Sequence, residues 1–62
     1  MKLRDRAAIA LDNTHGAGMV GIHTDKMRDY VAAWLDGQKI DVRIIRKAVA
    51  YLESLGNFLF LP

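Results

Sequence analysis

The stretch IDVRIIRKAVAYLESLGNFLFLP, residues 40 to 62, decides how the chain is read. Asp41 is placed as an N-cap, and Ile40 before it and Ile45 after it are spaced as a hydrophobic staple. Val42, Ile45, Val49 and Leu52 then fall on one helical face, flanked by Ala48 and Leu55. Gly56 reads as the left-handed residue that ends this helix. Beyond it Asn57 to Leu61 reads as an extended apolar strand closed by Pro62. In such a strand both faces are apolar, so Phe58, Leu59, Phe60 and Leu61 form a candidate protein interface: one face covers the helices and the other needs a partner.

Working back, Met27, Tyr30, Val31, Trp34 and Leu35 form a stripe at helical spacing. Thr24 is the expected N-cap of that helix, and Gly37 suits the left-handed position after it. Residues 19 to 23, MVGIH, predict a short strand. Residues 2 to 12 predict the first helix, with Leu3, Ala7, Ala10 and Leu11 on its inner face, and DNTHGAG is expected to break it. The expected architecture is one domain, residues 1–62, mainly α: three short helices and a minimal two-stranded antiparallel sheet, in the order helix, strand, helix, helix, strand.

With 62 residues, 52% of them hydrophobic, the chain is built for a core, although a small one. It has no cysteine, which excludes a disulfide scaffold or a thiolate metal site and fits a reducing cytoplasm. Small domains without such supports gain from self-association, so a homodimer is expected. No run of apolar residues is long enough to span a membrane, and MKLRDRAAIALDN lacks the apolar region of a signal peptide.

Catalytic signals are poor. Gly16 to Gly21 spells G-x-G-x-x-G, but it follows a helix and runs toward a strand, the reverse of a dinucleotide site. His15 and His23, even with Asp12 or Asp25, lack the convergent spacing of a zinc site. Ser54, the single serine, has no histidine near it in sequence, and Asp25 with Asp29 reads as solvated surface charge. A protein that is not an enzyme, with no cofactor and no metal, is the expectation.

Charge gives the better clue. Seven of nine basic residues lie in two windows, Lys2, Arg4 and Arg6 at the start and Lys39, Arg43, Arg46 and Lys47 around the third helix. Arg43, Arg46, Lys47 and Ala50 share the face opposite its core stripe, so long cations project beside one small residue.

The run VRIIRKAVAYLESLGNFLFL resembles the end of a winged-helix recognition helix passing into its wing, and residues 19 to 61 resemble the element order of the winged helix-turn-helix superfamily. The resemblance implies duplex DNA as partner, with Arg43, Arg46 and Lys47 facing the major groove and Lys39, Lys2, Arg4 and Arg6 near phosphates. The second wing strand and basic wing tip are not in the sequence, which leaves the contacts to the third helix. The leading expectation is a DNA-binding regulator. The alternative is an inhibitor or adapter of phage or plasmid type, acting on a host protein complex through its apolar C-terminal strand and charged helix faces.

Overall fold

A computed structural model describes residues 1–14 and 22–59, and in them the chain forms three helices: α1 (Leu3–Thr14), α2 (Ile22–Leu35) and α3 (Val42–Leu59). Each helix packs against the other two, and α3 makes the larger contacts with both α1 and α2.

The expected two-stranded sheet is absent from the described residues, and its two halves fail for related reasons. Ile22 and His23, the end of the first predicted strand, form the first turn of α2, while Met19 to Gly21 lie outside the described residues. Thr24 is therefore no cap; it is buried inside the helix. Asn57, Phe58 and Leu59 continue α3 straight through Gly56, and Phe60 and Leu61 lie outside the described residues. A glycine inside a helix costs about 1 kcal/mol relative to alanine. That cost is small beside the penalty of isolating two strands of about five residues, because a two-stranded ribbon is marginal in water. Leu52, Leu55 and Leu59 also keep helical spacing across the glycine. α1 likewise runs past its expected end to Thr14, whose buried hydroxyl donates to the Ala10 carbonyl at 2.9 Å.

The connection between α2 and α3 follows the sequence closely. α2 ends in a Schellman motif, with the Gln38 N–H donating to the Ala33 carbonyl and the Gly37 N–H to Trp34, each at 3.0 Å. Gly37 has φ +98°, and a side chain placed there would meet nothing within 4 Å. The cost of Gly37→Ala is thus backbone strain alone, about 1 kcal/mol. The expected result is a melting temperature lower by about 4–8 °C, with Gly37→Asn losing less because asparagine tolerates this region. Equal melting temperatures for wild type and Gly37→Ala would show that the motif is not formed in solution.

Asp41 caps α3 as expected: its side chain accepts the Arg43 N–H at 2.9 Å, and its carbonyl accepts Ile44 and Ile45. Ile40 packs on the cluster that holds Ile45, as a staple should.

Among the described residues the buried apolar ones are Ala7 and Ala10 from α1, Val31 from α2, and Ile45, Ala48, Val49 and Leu52 from α3. The two alanines give α1 a flat inner face, which permits a close approach to α3. Leu3, Leu11, Met27, Trp34, Leu35 and Ile40 close the rim. Two residues of the expected stripes stand further out: Val42 is 41% exposed and Tyr30 36%. Val42 lies in the first turn of α3 and is not among the residues packed on the core cluster.

Candidate nucleic-acid interface

Helix α3 sets the site. With Ile45, Ala48, Val49 and Leu52 turned into the core, Arg43, Arg46, Lys47 and Ala50 must face solvent, and all four are exposed. Lys39 is exposed in the preceding connection. Asp41, the acidic residue among these cations, has its carboxylate occupied. It accepts the Arg43 backbone N–H, Nε at 3.3 Å and Nη2 at 2.9 Å. The Arg43 guanidinium, then by its backbone N–H, holds the Asp41 carboxyl below its ordinary value of 3.8. Arg43 itself remains 84% exposed, so this pair is a weak tether that yields readily to another anion.

The basic residues at the start of the chain are arranged differently. Arg6 makes a two-pronged contact with Glu53 of α3, Nη2 to Oε1 at 2.7 Å and Nε to Oε2 at 3.1 Å. Its hydrogen bond is the main reason that the Glu53 carboxyl lies below its ordinary 4.5. Arg4 donates to the Leu35 carbonyl at 2.7 Å and holds its guanidinium 5.9 Å from the centre of the Trp34 ring. A cation there satisfies an orphan carbonyl and favours the negative end of the α2 dipole. The sequence marked both arginines as candidate phosphate ligands, whereas in the structure Arg6 ties α1 to α3 and Arg4 closes α2. Lys2, Lys39, Arg46 and Lys47 are exposed and make no ion pair among the described residues. The candidate surface thus contracts to Lys39, Arg43, Arg46 and Lys47, with Lys2 apart from it in sequence on the N-terminal segment.

The candidate protein interface changes more. Phe58 and Leu59 fall on the last turn of α3 rather than on a strand, and Phe60 and Leu61 lie outside the described residues. The alternation that gave the strand two apolar faces does not apply to a helix.

Of the groups weighed for chemistry, Ser54 donates its hydroxyl to the Tyr51 carbonyl at 2.7 Å. Asp25 is paired with Arg28 one turn on. His15 and the G-x-G-x-x-G run lie outside the described residues, and no three His, Asp or Glu side chains gather among those described. No described helix is long and apolar enough to cross a membrane. No protein-family model, curated protein or solved structure matches this chain.

The two lowered carboxyls fix an acid limb of stability. A carboxyl depressed in the folded state stabilises the fold above its ordinary value, and that contribution is lost as pH falls through its folded value. For Asp41 and Glu53 the loss begins near the ordinary 3.8 and 4.5 and continues below them. The melting temperature is expected to fall between about pH 5 and pH 3, and to fall less in an Asp41→Asn, Glu53→Gln double variant. Thermal melts across that range check this, and identical pH profiles would contradict the two contacts.

Proposed function

We propose that this chain is a small, non-enzymatic regulator that binds duplex DNA through the outer face of α3, acting as a cytoplasmic homodimer. The observation that carries the reading is the exposure of Lys39, Arg43, Arg46 and Lys47 together, with Ala50 leaving room for close approach. Phosphates attract such a surface without regard to sequence, while arginine and lysine also reach guanine edges in the major groove. Four contacts from one copy give weak binding, and a two-fold dimer presents the helix twice. Of the two surfaces an adapter would use, the strand is replaced by helix at Asn57 to Leu59, while the charged helix faces coincide with the basic face of α3.

Fluorescence anisotropy with a labelled mixed-sequence duplex at several salt concentrations tests the proposal. A protein that neutralises about four phosphates gives a slope of log K against log salt of about −3 to −4. Affinity independent of salt, or no binding at low salt, would overturn it.

A further inference from the structure

A second surface lies beside the basic one. Between α2 and α3 a groove of about 290 Å³ is lined by His23, Met27, Lys47 and Tyr51. His23 and Met27 of α2 meet Lys47 and Tyr51 of α3 there, so the helices run antiparallel across the six-residue connection from 36 to 41. One turn closer to that connection, α2 exposes Tyr30 and α3 exposes Ile44. Tyr30 follows Met27 by three positions and Ile44 precedes Lys47 by three, so helical spacing places both, exposed at 36% and 44%, in line with the groove as an apolar strip. From Ile44 to Tyr51 the strip runs about 10 Å along α3, two helical turns.

We propose that this strip docks an acidic amphipathic helix of a partner protein. Its length is the first argument: a strip two turns long matches apolar anchors at i, i+3 or i+4, and i+7 of a partner helix. Charge is the second. Lys47 lines the groove, Arg43, tethered to Asp41 yet 84% exposed, lies one turn before it on α3, and among the described residues no carboxylate lines the groove. A helix with carboxylates flanking its apolar anchors meets cations there, whereas a basic helix meets repulsion. The strip shares Arg43 and Lys47 with the DNA surface, which extends beyond it at Lys39 and Arg46. Arg46 lies seven positions before Glu53, on the flank of α3 that turns toward Arg6 of α1, away from the groove.

That separation supplies the experiment. The labelled protein is titrated with a synthetic acidic peptide of roughly 15 residues, leucines at i, i+3, i+4 and i+7 and glutamates between them. A second peptide carries the same leucines with lysines. Saturable binding of the acidic peptide is expected, with NMR shifts at His23, Met27, Tyr30, Ile44, Lys47 and Tyr51. Ile44→Ser is expected to weaken peptide binding at least about tenfold and leave duplex DNA binding unchanged, because it replaces most of an apolar side chain by a hydroxyl and alters no charge. Arg46→Ala is expected to do the reverse. Equal binding of both peptides, no binding of the acidic one, or an Ile44→Ser variant that binds it as wild type would each overturn the proposal. So would shifts at the strip that depend on protein concentration alone, which would assign it to a second copy of this chain.

Discussion

Replacing Leu52 by alanine is expected to leave a large fraction of the protein unfolded at room temperature. Leu52 is fully buried, and it belongs to the cluster that joins all three helices. Truncating a buried leucine costs about 2–5 kcal/mol, the transfer of its methyl groups plus the cavity they leave. A chain of this length has only about 3–9 kcal/mol of stability in total. The melting temperature is expected to drop by at least about 10 °C, read by circular dichroism. Val42→Ala is the control. Both residues lie on the apolar stripe read from the sequence, but Val42 is 41% exposed, so its truncation is expected to change stability by less than about 0.5 kcal/mol. Comparable losses in the two variants would contradict the packing of α3.

The second large effect falls on binding. In the Arg46→Ala, Lys47→Ala double variant, affinity for duplex DNA is expected to fall at least about 100-fold at low salt, and the salt slope to shrink by about 2. Both side chains are exposed and make no ion pair among the described residues, so the melting temperature is expected to stay within a few degrees of wild type. Arg6→Ala is expected to behave oppositely. It releases Glu53 and lowers stability, with little change in DNA affinity, because its guanidinium is already engaged across the α1–α3 interface.

These contrasts mark where sequence reading carries and where it stops. The Asp41 cap, the Gly37 turn and the inner face of α3 from Ile45 to Leu52 were legible because each depends on residues within one or two turns of itself. Gly56 was misread by the same local logic. A glycine after a leucine-rich helix is a common stop, but here the helical period of Leu52, Leu55 and Leu59 continues through it. Ile22 and His23 of the MVGIH segment are helical as well, since a strand exists only with a partner and the described residues offer none.

The roles of Arg4 and Arg6 had no local signal at all. Their partners lie 31 and 47 residues away, at Leu35 and Glu53, and only the packing of three helices brings them together. Cation clusters in a sequence therefore overstate a binding surface. Here Arg4 and Arg6 are engaged within the fold and Arg43 is tethered to its own cap, which leaves Lys39, Arg46 and Lys47 as the most available charges beside it. Tyr30 and Ile44 show the converse: apolar residues of an amphipathic helix that packing leaves in solvent, visible only once burial is known.

The central claim is that the outer face of α3 is a DNA surface. Chemical-shift mapping of isotope-labelled protein with a mixed-sequence duplex at low and at high salt tests it most directly. Salt-sensitive shifts concentrated at Lys39, Arg43, Arg46 and Lys47, with Arg6 and Glu53 unmoved, are the expected result. A spectrum unchanged by DNA at low salt would contradict the claim.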